Sequence, residues 1–216
     1  KLGIGTAHKL AIEYSLFHGY DVLVTMDADL SHDPLEIPKL LDALKDVDFV
    51  IGSRYCPGGS SDYTGYRRYI SLLANRLGNV LLGIPTRECT TSFRGFRLDA
   101  LRKSGIPNFT NSGYSFFMET IFSIHQAELR MAEIPIQFKD RYHGESKIPR
   151  FEIINSVSKL LQFAVRRLTN TKKIKPVKPV KEGCCHCGSP FMSDIHEGSP
   201  IDQEEITDAP AYRCTS

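Results

Sequence analysis

Two aspartates separated by one alanine, Asp27 and Asp29, close an apolar run in the stretch VLVTMDADLSHDP, Val22 to Pro34. In an extended segment residues i and i+2 project to the same side, so this spacing presents two carboxylates together just past the end of a strand. At about 4 Å apart such a pair repels by roughly 4 kcal/mol at an effective dielectric near 20. A hard divalent cation with oxygen ligands relieves that repulsion. A cation held there can bridge to phosphate oxygens and neutralise charge on a departing diphosphate. Open α/β sheets bind ligands outside the carboxyl ends of their strands, where this pair falls. The competing reading is a solvated acidic turn, and the buried strand before it weighs toward the metal. A calcium loop starting at Asp27 would need Gly sixth and Glu twelfth, but those positions are His32 and Pro38.

Cationic residues recur at the ends of other elements. GSRY (Gly52 to Tyr55) puts Arg54 just after a second strand, and Arg67 and Arg68 open a helix, where backbone N–H groups also favour anions. FKDRYHGESK (Phe138 to Lys147) supplies Arg141, then Gly144, Ser146 and Lys147 in a loop. Guanidinium forks and a lysine point charge are what phosphate oxygens bind. Any one of these arginines alone is most simply a surface charge. Three such sites at element ends argue for a shared anion pocket.

The elements that must position these groups follow from periodicity. Thr6 to Phe17 reads as a helix with Ala7, Leu10, Ala11 and Tyr14 inward, and Asp21 to Met26 as a strand buried on both faces. Pro34 opens a helix through Lys45 whose inner side is Leu35, Ile37, Leu40, Leu41 and Leu44. Val47 to Gly52 is a second buried strand, so strand, helix and strand alternate as in an α/β sheet with parallel crossovers. Helices are expected over Arg67 to Leu82 and Phe116 to Gln126, and an edge strand over Ala132 to Phe138, where Pro135 suits an edge. Phe151 to Leu168 is the longest amphipathic pattern, with Ile154, Val157, Leu161, Ala164 and Leu168 on one side.

The whole chain has 216 residues, 41% hydrophobic and 24% charged, enough for one sizeable core. A formal net charge of +2 gives no support for a nucleic-acid partner. No window approaches 18 consecutive apolar residues, so no membrane-spanning segment is expected. Residues 1–169 read as one folded unit, 170–183 as a linker with five Lys and two Pro, and 184–216 as an acidic, cysteine-containing tail. Uneven cysteine usage fits a reducing compartment. The chain opens on Lys1 and reads as starting inside a domain.

The blocks KLGIGTA, VLVTMDADLSHDP, DFVIGSRY, ECTTSFRGFR, YSFFMET and KDRYHGESK occur in the order seen in family 2 glycosyltransferases. The chain most resembles the dolichol-phosphate (polyprenol-phosphate) mannosyltransferase branch, from Lys1 to about Leu168. The resemblance implies an α/β, GT-A-like nucleotide-diphospho-sugar transferase domain, here lacking the first strand and its base-reading acidic residue. It implies that Asp27 and Asp29 bind Mg²⁺ or Mn²⁺ on the donor diphosphate. Ser31 stands where the family often has Gln, and is a third candidate ligand. Asp29, Arg54, Arg68 and Arg141 become the candidate catalytic residues, and Asp27, Arg94, Glu119, Ser146 and Lys147 the substrate-binding ones. TTSFR carries Thr91 where the family has Gly, which questions the local loop conformation because Gly allows positive φ that Thr resists.

The reaction so implied moves a hexose, mannose in this branch, from a nucleotide-diphospho-sugar to a polyprenyl phosphate with inversion. The acceptor oxygen is already anionic near neutral pH, so catalysis reduces to alignment and charge. Leu72, Leu73, Leu77, Val80, Leu81 and Leu82 form one candidate lipid-facing surface and the Phe151 to Leu168 helix another, consistent with a cytoplasmic protein peripheral at the inner face of the membrane. Transfer to a saccharide or protein hydroxyl, or a non-catalytic sugar-nucleotide-binding remnant, are the alternatives. In the tail, Cys184 and Cys187 have zinc-knuckle spacing and slightly resemble the segment preceding some class I methyltransferase domains. The competing reading is a disordered tail with fortuitous cysteines.

Overall fold

The computed structural model describes residues 2–63, 65–104, 109–139 and 150–169. The chain divides into two units, Lys1–Lys178 and Pro179–Ser216, and every described residue lies in the first.

In chain order the elements are α1 (Ile4–Phe17), β1 (Val22–Thr25), a 3₁₀ turn (Pro34–Glu36) running into α2 (Ile37–Ala43), β2 (Phe49–Ser53), β3 (Ser60–Ser61), α3 (Gly65–Leu82), β4 (Arg94–Arg97), α4 (Leu98–Ser104), α5 (Ser115–Gln126), β5 (Met131–Pro135), β6 (Gln137–Phe138) and α6 (Arg150–Thr169). The main sheet has the order β1-β4-β2-β5, and β3 pairs with β6 in a small parallel ladder. β4 runs antiparallel to both β1 and β2, while β2 and β5 are parallel. The expected parallel β1–α2–β2 crossover is present, but the sheet is mixed because β4 is antiparallel. β1 and β2 run in the same direction but are separated by a reversed strand that arrives later in the chain.

The sheet buries apolar side chains on both faces with the period of two that a pleat imposes. Phe49, Ile51 and Phe96 join the larger core with Ile12, Leu16, Phe116, Ile121 and Phe163. Val50, Phe93 and Ile134 face the other way, onto Leu40 and Leu44 of the α2 region. Every residue of β2 is buried, as its apolar run predicts. β1 differs from its prediction: it ends the sheet order, and Val22 is exposed while Leu23 and Val24 are only partly covered.

Helical periodicity located the helices better than their inner faces. In α1 the buried residues are Gly5, Ile12, Ser15 and Leu16, and the predicted Ala7 and Leu10 are exposed. Around α2, Leu40 and Leu44 are buried, but Leu35 is 82% exposed and Leu41 also faces solvent. In α6, Leu160 and Phe163 enter the core, with Phe163 stacked on Phe122 at 5.6 Å between ring centroids. Val157, Leu161 and Leu168, placed inward by the sequence pattern, are exposed instead. The physical reason is that α6 is apolar around more than one face, and its contacts with α3 and α5 select the Leu160–Phe163 stripe. α3 seats Asn75, Gly78 and Leu82 inward. Gly78 permits that approach, since a Cβ there would come within 2.9 Å of Cys89 Sγ.

Candidate active site

The carboxylate turn leaves β1 at Thr25 and is held from behind by the segment that leads into β4. Thr25 Oγ1 donates to the Ser92 carbonyl at 2.6 Å. Ser92 Oγ in turn donates to Asp27 Oδ1 at 2.7 Å. Asp29 Oδ1 accepts the Ser31 N–H at 3.1 Å, the local side-chain-to-backbone closure typical of an Asx turn. Leu30, between them, sits in the left-handed region at φ 64°, which costs a non-glycine residue on the order of 1–2 kcal/mol. Asp33 Oδ1 accepts the Leu35 N–H at 3.0 Å and, with Pro34 behind it, starts the following 3₁₀ turn.

His32 lies beneath this turn and is buried. Its Nδ1 accepts the Asp27 N–H at 3.2 Å, which assigns the proton to Nε2, 3.2 Å from Thr91 Oγ1. Phe93 stacks on the imidazole and Phe138 meets it edge-on, each at 5.3 Å. Burial holds the His32 pKa below its ordinary value, against the opposing pull of Asp27 and, more weakly, Asp29. The Asp27 carboxylate lies 4.0 Å from His32 Nδ1. His8 of α1 approaches the same region, packed on Phe116 and Phe117. Its pKa is lowered to about 4, first by burial and next by Arg94, with Asp27 opposing.

The residues present fit a hard divalent cation. Asp27 and Asp29 supply carboxylate oxygens, and Ser31 Oγ is buried with no hydrogen-bond partner. A buried hydroxyl without a partner is otherwise costly. No group of three His, Cys, Asp or Glu that could hold a metal occurs among the described residues. Mg²⁺ and its analogues commonly keep water and phosphate oxygens as ligands beside one or two carboxylates.

Three residues expected to bind ligand, Arg54, Arg94 and Glu119, have internal hydrogen-bond partners. Arg54 does sit at the carboxyl end of β2, but its Nε and Nη2 donate to Glu88 Oε2 and Oε1 at 2.8 and 2.9 Å. Nη2 also donates to Thr90 Oγ1 at 2.8 Å, and the guanidinium packs over the Tyr55, Tyr63 and Phe138 rings. Burial alone would favour a neutral Glu88, but Arg54 and the Thr90 donors hold its carboxyl below the usual range. Arg94 is buried, and donates to the carbonyls of Thr91, Phe117 and Cys89 at 2.7, 2.9 and 2.9 Å. Burial lowers its pKa to about 10, so the group stays charged at neutral pH. Glu119 is also buried, and accepts the N–H groups of Thr110 and Asn111 and the Thr110 hydroxyl. It fixes the loop whose Ser112 carbonyl accepts the Gly5 N–H at 2.7 Å. Glu119 is thus fully engaged by its loop, whereas Arg54 commits Nε and Nη2 to Glu88 and Thr90, and Arg94 commits one donor of each nitrogen to a backbone carbonyl.

Arg68 lies exposed on α3 and forms no ion pair among the described residues. Arg141, Ser146, Lys147, Cys184 and Cys187 lie outside the described residues. Thr91, standing where Gly was expected, is not left-handed: the non-glycine residues with positive φ are Leu30 and Glu128 among those described. Its hydroxyl instead meets His32 and accepts the Phe93 N–H at 3.3 Å. Sequence reasoning missed His32, Ser92 and Glu88. His32 and Ser92 lie inside quoted motifs, but nothing local marks them as partners of a residue 59 to 65 positions away.

A pocket lined by Asp21, Val22, Leu41, Leu44, Lys45, Arg97 and Asp99 opens at the start of β1, away from the carboxylate turn.

Residues 2–105 match the family model described as Glycosyl transferase family 2. Undecaprenyl-phosphate mannosyltransferase of Micrococcus luteus is 38% identical over 149 residues, covering 68% of this chain and 61% of that protein. Polyprenol monophosphomannose synthase of Mycolicibacterium smegmatis is 34% identical over 168 residues, 77% of this chain and 63% of that protein. The chain thus spans about three fifths of the length of these relatives. Among solved structures, glucosyl-3-phosphoglycerate synthase from Mycobacterium tuberculosis in complex with Mn²⁺, uridine diphosphate and glucosyl-3-phosphoglycerate superposes with a TM-score of 0.51 at 18% identity. The match covers 84% of this chain and 67% of that one, and establishes the fold alone. The match to Glycosyl transferase family 2 thus spans residues 2–105, and the described residues have a GT-A-like fold.

Proposed function

We propose that the protein containing this chain is an inverting polyprenyl-phosphate hexosyltransferase that moves mannose from a nucleotide-diphospho-sugar to the lipid phosphate. The observation that carries this reading is the turn from Asp27 to Ser31: an Asp27 whose carboxylate is held by Ser92 and whose N–H is held by His32, an Asp29 carboxylate closing the turn on the Ser31 N–H, and a buried Ser31 hydroxyl with no partner. The two mannosyltransferase relatives support the choice of sugar and acceptor.

Asp27, Asp29 and Ser31 would hold Mg²⁺ or Mn²⁺, and the bound cation would supply charge neutralisation on the leaving diphosphate. The acceptor phosphate is anionic at neutral pH, so no strong general base is required of this chain. Attack by the phosphate oxygen forms the new bond at the anomeric carbon as the bond to the diphosphate breaks on the opposite face, which inverts the centre. Arg68, exposed on α3, and Arg141, Ser146 and Lys147 beyond it in the chain are the groups proposed to hold anionic substrate oxygens. Arg54, Arg94 and Glu119 are proposed to act chiefly through the scaffold, since each is bonded within it.

No helix among the described residues is long and apolar enough to cross a membrane. Ile70, Leu73, Leu77 and Val80 of α3 are exposed, as are Val157, Leu161, Val165 and Leu168 of the adjoining α6. Arg166 and Arg167 follow in the last turn of α6. Peripheral contact with an anionic membrane surface, on the cytoplasmic side, is proposed for this face.

The test uses the full-length protein with labelled GDP-mannose and, separately, UDP-mannose, Mg²⁺ or Mn²⁺, and either a polyprenyl phosphate or a soluble saccharide. Label should enter the lipid phosphate, and both chelation and Asp29→Ala should abolish transfer without changing the melting temperature by more than about 2 °C, since Asp29 is partly exposed. Preferential labelling of the saccharide, or full turnover in chelator, would overturn the proposal.

A further inference from the structure

We infer that His32 is a positioning residue for the metal-binding turn, acting through the backbone of Asp27 rather than by touching metal or substrate. The inference rests on the metal reading proposed above. Asp27 is held twice, by two different routes that converge on one loop. Its carboxylate accepts from Ser92 Oγ at 2.7 Å, and its N–H donates to His32 Nδ1 at 3.2 Å. The far side of the same imidazole reaches Thr91 Oγ1 at 3.2 Å, one residue before Ser92. Main chain and side chain of Asp27 are thus both referenced to residues 91–92, across a gap that no strand ladder spans at this point.

The ring suits the task. At 2% exposure it cannot exchange these partners for water. Phe93 and Phe138 fix its plane from two directions, one stacked and one edge-on. Because Nδ1 accepts, the Nε2–H must donate, and Thr91 Oγ1 is the acceptor in reach. The Thr91 hydroxyl therefore has a purpose that Gly could not serve. The neighbouring Leu30 is held in a left-handed conformation, which a non-glycine residue keeps only when its surroundings over-determine it. On either side of Leu30 the turn is closed by the Ser31 N–H on Asp29 Oδ1 and anchored by the Lys139 N–H on the Ser31 carbonyl, at 3.1 Å each. Groups behind a metal ligand typically change metal affinity 10- to 100-fold when removed.

The test separates the two ends of the ring. His32→Asn places an amide oxygen near the Nδ1 position and can still accept the Asp27 N–H; His32→Gln reaches toward Thr91 but loses that acceptor. Mn²⁺ affinity of the full chain, in the presence of a nucleoside diphosphate, is read by electron paramagnetic resonance, and amide hydrogen exchange at Asp27 is read without metal. His32→Ala and His32→Gln should weaken Mn²⁺ roughly 10- to 100-fold and deprotect the Asp27 amide, while His32→Asn restores most of both. A role confined to stability would lower the melting temperature of all three and leave the Mn²⁺ affinity of the folded protein unchanged. Should His32→Ala fail to fold, Thr91→Val carries the test: it keeps the volume, removes the acceptor for Nε2–H, and should weaken Mn²⁺ several-fold. Affinities within twofold of the wild type in the folded variants overturn the inference alone. A wild-type protein that binds no Mn²⁺ overturns the metal reading with it.

Discussion

The reassignment of Arg54 from substrate to scaffold can be tested by removing its partner. Glu88 is fully buried, and its carboxylate accepts four hydrogen bonds: two from Arg54, at 2.8 and 2.9 Å, and two from Thr90, at 3.0 and 2.7 Å. Glu88→Gln keeps the shape but removes the charge, and turns one acceptor into a donor facing a donor. The Arg54 guanidinium, with its side chain 7% exposed, is then left without a counter-charge. Breaking one side of a buried pair costs about 3–5 kcal/mol, whereas replacing both sides by apolar residues of similar volume is often neutral. At roughly 2–4 °C per kcal/mol for a chain of this size, Glu88→Gln should lower the melting temperature by about 6–20 °C. Arg54→Met combined with Glu88→Leu should recover most of that loss. Calorimetry or urea unfolding of the full chain gives the stabilities, and the mannosyl-transfer assay gives turnover. A structural Arg54 predicts that the double variant keeps turnover within about tenfold of the wild type. A double variant that is stable but inactive would return Arg54 to the reaction, and a single variant losing under about 1 kcal/mol would refute the energetic argument.

Two further outcomes follow from buried titratable groups. His8, with its pKa lowered to about 4 by burial, takes up a proton in the unfolded chain below pH 6.5 but not in the folded one. Stability should therefore fall as pH drops from about 6.5 to 4, by about 2 kcal/mol once partial exposure is discounted, and His8→Phe should flatten that slope in urea titrations. An unchanged slope would show that another group is responsible. Cys89 is buried, and burial pushes its thiol up to about 12. In the native protein at pH 8 it should resist iodoacetamide while reacting fully in denaturant, as peptide mass mapping would show. Native alkylation of Cys89 would contradict the packing described.

The carboxylate turn was legible because its signal is local: an apolar run, then D-x-D, places the acids at a sheet's rim whatever the topology. The buried β2 and the extents of α3 and α6 were legible for the same reason. The inner face of α6 was not. Its apolar residues cover much of the helix circumference, so only its neighbours decide that Leu160 and Phe163 face inward and Leu161 outward. β4 carries almost no strand signal in Arg94–Arg97, yet it is an inner strand, because Arg94 directs its charge into three carbonyls instead of water. Position at an element's end drew attention to Arg54 correctly. Its purpose depended on Glu88, 34 residues on, and no local pattern encodes that pairing.

The insertion of β4 between β1 and β2 also sets a timetable for the nascent chain. β1 and β2 share no ladder, so the first half of the sheet has nothing to zip onto until residues 94–97 have been made and reversed into the gap. Only then do Thr91 and Ser92 arrive beside Asp27. The aspartates precede in the chain every partner that fixes their turn from outside it: Thr91 and Ser92 just before β4, then Phe138 and Lys139 after β5. A ribosome-bound fragment ending before β4 would carry both acids and no organised site.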